Sequence, residues 1–207
     1  MKERPIIFQD WGVRAILDGR KTQTRRVIKL FHPHEQYDIF QRSDGRWKWE
    51  IPEPPHALHW LSGELRCPCG IPGDLLWVRE TFRRSTIDTC WRYRADCPPH
   101  EDGHWQWKPS IHMPRWASRL TLRLADVRVQ RVQEITPADC EAEGIEGRTL
   151  ASPVRGQPYE EYTNGDGFVW ALPILAFASL WDSINAKRGY GWELNPWVWA
   201  LSFEVLQ

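Results

Sequence analysis

Gly19-Arg20-Lys21-Thr22-Gln23-Thr24-Arg25-Arg26 puts one amine, two hydroxyls and three guanidiniums into eight residues. Only six of the 27 Lys and Arg residues are lysines, so Lys21 is a placed residue more than a solubilising one. A lysine amine acts as a base only when it is neutral, and desolvation or neighbouring cations bring that about. A threonine hydroxyl such as that of Thr24 is inert until a base removes its proton. Arg20, Arg25 and Arg26 supply cations in sequence, and Arg26 can hold a carboxylate, a phosphate or a carbonyl through its planar fork. On residue type alone, an exposed loop lysine and an ordinary strand threonine are the commoner uses of such residues. A basic octet is equally a phosphate-binding loop. The stretch is read for chemistry only because of what surrounds it.

The flanking elements must position it. Pro5-Ile6-Ile7-Phe8 predicts a first strand. Asp10 is placed to cap a helix to about Asp18, with Val13, Ile16 and Leu17 facing the core. Gly19 supplies the left-handed residue after the helix. Arg20 to Gln23 then form a loop, and Thr24 to Ile28 a second strand. If the loop curls, Lys21 and Thr24 point into one cavity. Further on, Leu75 to Phe82 predicts a strand with Leu76 and Val78 on one face and Trp77 and Arg79 on the other. Arg79 and Glu80, being adjacent, cannot pair within that strand. One of them must turn inward and find a partner. The candidate substrate contacts are Arg26, Arg20, Glu80 and Trp77.

Arg119 to Val132 predicts a long strand whose phase slips at Ala125-Asp126, the mark of a bulge. Thr136-Pro137-Ala138-Asp139 opens a short helix with a threonine cap, proline at its first position and Asp139 set for a capping box. That helix carries Glu141 and Glu143 and stops at Gly144. Pro173 to Lys187 predicts a helix, and Asn195 to Leu206 a last strand, apolar on both faces and so covered on both. Residues 146–171, rich in Gly and Pro, read as a loop. Residues 30–72 and 83–115 read as two insertions, the first irregular apart from a strand at Arg46 to Ile51. The sum is one α+β domain over residues 1–207. It is a small, curled, mostly antiparallel sheet or barrel of five or six strands with about three helices.

Bulk composition narrows the partners. The net charge is zero, so no global field draws in nucleic acid and any such contact must be local. Fourteen tryptophans exceed ordinary usage, and most belong to a core with amphipathic rims, leaving one to three for a pocket. No apolar run is long enough to cross a membrane, and Met1 to Pro5 lacks the apolar stretch of a signal peptide. Five cysteines without a secretion signal point to a reduced, cytoplasmic setting. Cys67-Pro68-Cys69 has one residue between its thiols where zinc loops have more, and Cys140 reads as a buried helix residue. Cys90, Cys97, His100 and His104 have ligand chemistry but irregular spacing. No metal and no cofactor are assigned.

The pattern Gly19-x-Lys21-x-x-Thr24-x-Arg26 after a first helix resembles the signature of the ASCH domain, a relative of the PUA RNA-binding fold. Leu76-Trp77-Val78-Arg79-Glu80-Thr81, Glu141-Ala142-Glu143-Gly144-Ile145, Leu180-Trp181-Asp182-Ser183-Ile184-Asn185 and Gly189-Tyr190-Gly191-Trp192 through Asn195-Pro196-Trp197-Val198-Trp199 resemble a longer ASCH branch common in phages and prophages. The order of these runs makes the resemblance specific at both ends and in the middle of the chain, while the two insertions fall outside it. It implies a curled PUA-like barrel. Similar small ASCH proteins are amidohydrolases that deacylate N(4)-acetylcytidine with a Lys, a Thr and a Glu, which fall here on Lys21, Thr24 and Glu143. Many members carry Glu where this chain has Thr24, and the chain is longer than those compact enzymes. The threonine places this sequence nearer the amidohydrolase pattern, and the zero net charge suits a nucleoside-sized substrate in a pocket better than a long nucleic acid. Two mechanisms stand side by side: Thr24 as nucleophile, or a water activated by Lys21 and Glu143 with Thr24 holding the substrate. Because other relatives bind or cleave RNA, a PUA-like reader of RNA or a modified base, or a ribonuclease, is the competing expectation.

Overall fold

The computed structural model describes residues 1–29, 37–51, 62–85, 90–97, 105–151, 158–164 and 168–206. The fold is α+β. A five-stranded sheet is built from β1 (Glu3–Ile7), β2 (Gln23–Val27), β6 (Leu75–Arg79), β9 (Thr121–Arg131) and β12 (Trp197–Leu206). Its spatial order is β1-β6-β9-β12-β2. β1 and β6 are parallel, and every other pair is antiparallel. Three α-helices are present among the described residues: α1 (Asp10–Leu17), α2 (Pro137–Ala142) and α3 (Pro173–Asn185). None of the described helices is long and apolar enough to cross a membrane.

The alternation of β12 explains its place near the middle of the stack. Trp199, Leu201 and Phe203 enter a core shared with Ile6, Phe8, Val13, Ile16, Leu76, Val78, Leu122 and Leu124. Val198 faces the other way, into a second core with Val132, Ile135, Cys140 and, from α3, Phe177, Leu180 and Trp181. Both faces are covered, as a strand apolar on both sides requires. The predicted bulge is there: Ser202 pairs with Asp126 but Phe203 with Leu124, leaving Ala125 as the extra residue.

The sheet is open where it matters. β1 and β2 are its two edges, and no ladder joins them among the described residues. A side chain does so instead: Arg26 Nη2 on β2 donates to the Ile7 carbonyl at the end of β1, at 2.6 Å. The two edges of the sheet therefore meet at one end without pairing.

Several expectations are corrected. Asp10 is not the cap of α1. Gln9 occupies that position without a side-chain bond, and Asp10 sits in the first turn, 3.3 Å from Arg94. α3 ends at Asn185, and a 3-10 turn, Ala186–Arg188, carries the chain to left-handed Gly189. Residues 146–151 and 158–163 are not loop but an antiparallel hairpin, β10 (Glu146–Ala151) with β11 (Pro158–Thr163). Gly147 belongs there because the Tyr162 ring lies across it, only 3.0 Å from where a Cβ would stand. The first insertion is likewise more ordered than expected. β3 (Asp38–Gln41), β4 (Trp47–Glu50) and β5 (Ser62–Leu65) form a small antiparallel sheet, of which only β4 is apparent in the sequence. It packs back on the main core through Ile39, Trp47 and Leu65. The second insertion contributes a short hairpin, β7 (Phe82–Arg84) with β8 (Trp91–Tyr93). Pro33, Pro52, Pro54, Pro55, His100 and His104 lie outside the described residues.

Candidate active site

The octet acquires its shape from the end of α1. Arg20 N–H reaches the Ala15 carbonyl and Gly19 N–H the Ile16 carbonyl, with Gly19 at φ 74°. This is a Schellman closure, and glycine is needed at its left-handed position. Lys21 N–H also donates to Ala15, at 2.9 Å. Thr22 then stitches the loop to its surroundings: its N–H bonds the Ala142 carbonyl at the end of α2, and its own carbonyl accepts from Phe203 on β12. The loop is thereby fixed between two helix ends before β2 begins.

α2 arrives by the mechanism its sequence predicts. Thr136 caps it, Pro137 opens it, and Asp139 completes a capping box. Gly144 follows at φ 98°, where a Cβ would lie 3.1 Å from that of Ala15 and 3.4 Å from that of Lys21. Glycine here lets the end of α2 press against Lys21. Glu143, the residue before it, consequently meets the lysine side chain.

Lys21 Nζ donates to the Glu143 carboxylate Oε2 at 2.6 Å and to the Glu143 carbonyl at 2.5 Å. Both residues are buried, Lys21 being 2% exposed and Glu143 3%. Arg25 Nη1 approaches the other carboxylate oxygen at 3.2 Å, and Arg25 Nη2 lies 3.0 Å from Asp139 Oδ2. Burial pushes the Lys21 ammonium below its ordinary value. Glu143 opposes this through its charge and its hydrogen bond, while Arg26 and Arg25 add to the lowering. Two of the four tetrahedral positions on Nζ point to Glu143 and one is the Cε bond. The fourth carries the extra proton of the ammonium or the lone pair of the amine.

Lys21, Thr24 and Glu143 line one cavity of about 750 Å³. It lies between the sheet's free edges, so Ile7 and Phe8 from the β1 side face residues of β2 across it. α3 and the turn after it supply the remaining wall, with Phe177, Trp181, Asn185, Arg188 and Tyr190. Thr24 is buried, and its hydroxyl has no hydrogen-bond partner among the described residues. Of the fourteen tryptophans, Trp11 and Trp181 line the cavity. The Trp11 ring stands 5.3 Å from Lys21 Nζ.

The four expected substrate contacts are placed differently from one another. Arg26 lines the cavity, with its guanidinium 5.0 Å from the Phe8 ring. Arg20 does not. It is exposed, pairs with Asp18 at 2.9 Å, and braces the Gly144 carbonyl from outside. Glu80 is the inward one of its pair, yet it serves another locus: Arg119 grips both its oxygens at 2.9 and 3.0 Å and also holds Asp96. Trp77 points to the opposite face of β6, stacks with Arg79 5.4 Å away, and does not line the cavity.

Arg25 was missed as a site residue. Strand alternation assigns it to the face opposite Thr24. β2, however, is an edge strand, and residues from both its faces border the cavity. Which strand ends up at an edge is decided by global pairing, so no local signal reveals it. The α3 wall was missed because its aromatic stripe reads as core, which it also is. Among the described residues no three His, Cys, Asp or Glu side chains gather as a metal site. Compared with known proteins, the chain matches no family model, no curated protein and no solved structure.

Proposed function

We propose that this chain is an amidohydrolase that removes the acyl group from an N(4)-acylated cytosine nucleoside, N(4)-acetylcytidine or a relative, in a curled PUA-like fold of the ASCH type. The observation that supports it is the buried Lys21–Glu143 contact in a cavity that Thr24 also lines. A lysine held for solubility is not desolvated. One desolvated against a carboxylate in a cavity with an unbonded hydroxyl has the parts of a general base and its nucleophile.

In this reading neutral Lys21 takes the Thr24 hydroxyl proton as Oγ attacks the acyl carbon. The C–N bond to the cytosine breaks, and the exocyclic nitrogen leaves with the proton returned by Lys21. A water, activated by the again neutral Lys21, then cleaves the Thr24 ester and releases the carboxylic acid. Glu143 orients the amine throughout and stabilises the ammonium that forms transiently within each step, after the proton is taken and before it is passed on. Trp11, Phe177 and Tyr190 offer flat surfaces to the base.

Incubation with N(4)-acetylcytidine and chromatography for cytidine is the test. Thr24→Ala separates the routes. Loss of turnover together with an acyl adduct trapped on Thr24 of the wild type supports the nucleophile. Full turnover in Thr24→Ala with no adduct assigns attack to a Lys21-activated water. Absence of turnover with any acyl variant, beside tight binding of RNA, replaces the enzyme by a binding module.

A further inference from the structure

The charges around the cavity do not balance. Five cationic side chains and one carboxylate line it. Glu143 is that carboxylate, and Lys21 and Arg25 already share it. Arg26, Lys29 and Arg188 remain, and none of the three has an ion pair among the described residues. Arg26 spends one nitrogen on the Ile7 carbonyl, while its Nε is buried without a partner. Lys29 follows the end of β2 and is exposed; Arg188 closes the 3-10 turn after α3 and is exposed as well. Burial is the largest influence lowering Arg26, and the nearby positive charge of Arg188 adds to it, against Cys69 and Glu143.

A cluster of cations with no counter-charge stores repulsion that an anion between them relieves. A nucleoside carries no such anion. We propose that the cavity takes its substrate as a phosphate ester of the nucleoside, with Arg26, Lys29 and Arg188 binding the phosphate and Lys21, Thr24 and Glu143 facing the acylated base. This rests on the cytosine reading above and names the form of its substrate. The division of labour follows from depth: Lys21, Thr24 and Glu143 are buried and suit an uncharged amide, while the exposed Lys29 and Arg188 stand where a solvated phosphate can enter. Arg26 bridges the two zones, between the buried pair and the rim. Planar guanidiniums suit the phosphate through paired, charge-assisted hydrogen bonds.

The experiment is isothermal titration of the full chain with cytidine, cytidine 5′-monophosphate, ribose 5-phosphate and a short cytidine-containing oligoribonucleotide, at low and high salt. The monophosphate is expected to bind roughly tenfold or more tightly than cytidine, with the gain shrinking as salt rises. In the double variant Lys29→Ala/Arg188→Ala, checked for an unchanged melting profile, the gain is expected to vanish. If the oligoribonucleotide competes better than the monophosphate, the phosphate belongs to a polymer; the reverse assigns a free nucleotide, and either supports the subsite. Equal affinity of cytidine and its monophosphate, or a gain that survives the double variant, overturns the proposal while leaving the deacylation reading intact. If neither cytosine compound binds but ribose 5-phosphate does, and needs Arg188, the subsite stands and the cytosine reading falls. No binding of any phosphate compound overturns the subsite.

Discussion

Glu143→Gln tests whether a charge, and not merely a hydrogen bond, holds Lys21. The glutamine keeps the size and the acceptor oxygen of the side chain and removes its negative charge. At 2.6 Å and an effective dielectric of about 20, the attraction lost is about 6 kcal/mol before the cost of burying both groups is subtracted. Breaking one member of a buried pair typically costs about 3–5 kcal/mol. In a domain of this size that corresponds to a fall in Tm of about 6–20 °C. The pH dependence carries the diagnosis. Burial already makes folded Lys21 release its proton below its ordinary value of 10.5. Between those two points the unfolded chain holds more protons, so stability rises with pH there. Without Glu143 the main influence resisting that release is gone, and the window extends to lower pH. The deficit of the variant is therefore largest where Lys21 is forced to stay charged and shrinks toward alkaline pH.

Urea unfolding of both proteins from about pH 6 to about pH 10 measures this directly. Adding Lys21→Met to Glu143→Gln is expected to recover part of the loss at neutral pH, because it removes the amine left without its counter-charge. A deficit that does not change with pH, together with no recovery in the double variant, refutes the reasoning. Under the proposed chemistry, the alkaline rise of the rate shifts to lower pH in Glu143→Gln, while the maximal rate falls by about 10²–10⁴.

Gly144→Ala places a Cβ at positive φ against Ala15 and Lys21, and is expected to cost about 2–3 kcal/mol by thermal melting. A melting profile like the wild type's would mean that α2 does not press on Lys21. Arg119→Ala strips the buried Glu80 of both its donors and is expected to cost about 3–5 kcal/mol. Burial already pushes the Glu80 carboxyl up, so stability is lost as pH rises above the ordinary carboxyl range. The Arg119→Ala deficit should accordingly be larger at neutral than at acid pH in denaturant titrations. Cys69 is held down to about 7 by a hydrogen bond from Cys67, with Arg26 and Arg4 adding to it. Iodoacetamide is expected to modify Cys69 ahead of the buried Cys140, with a rate midpoint near that value; Cys67→Ala should raise the midpoint, and equal labelling of the two would contradict the assignment.

Local rules carried far in this chain. The Thr136 cap, the Ala125 bulge and the double-faced β12 each depend on residues within a few positions, and each is found where the spacing places it. The Gly19 closure is similar: the same residues that end α1 aim the backbone of Lys21. Glu143 was reachable only through the motif resemblance, since nothing local says that a helix cap far along the chain meets a loop near its start. The hairpin of β10 and β11 escaped because its glycine reads as a loop signal, when it is there to admit the Tyr162 ring. Arg20 and Arg25 exchanged roles for a geometric reason. The turn directs Arg20 outward to Asp18, while the edge position of β2 directs Arg25 to the carboxylates.

Those carboxylates explain why an arginine belongs beside the lysine. Asp139 on α2 and Glu143, the residue that caps its end, lie four residues apart, a spacing at which like charges repel. Arg25 lies between them, 3.0 Å from one and 3.2 Å from the other, and turns the repulsion into a clamp. Its grip on one oxygen of Glu143 leaves the second oxygen for Lys21. Glu143 cannot then rotate toward Lys21 with both oxygens, which would over-stabilise the ammonium. Nor can it swing away, which would leave a buried amine unsupported. The same guanidinium also disfavours the charged lysine through space. Arg25 thus acts twice on one proton, by fixing its acceptor and by raising the cost of keeping it. On this argument Arg25→Lys, which preserves charge but cannot span both carboxylates, should disturb the pH profile of Lys21 more than it disturbs stability. If Arg25→Lys leaves that profile unchanged, the clamp plays no part in setting the Lys21 proton.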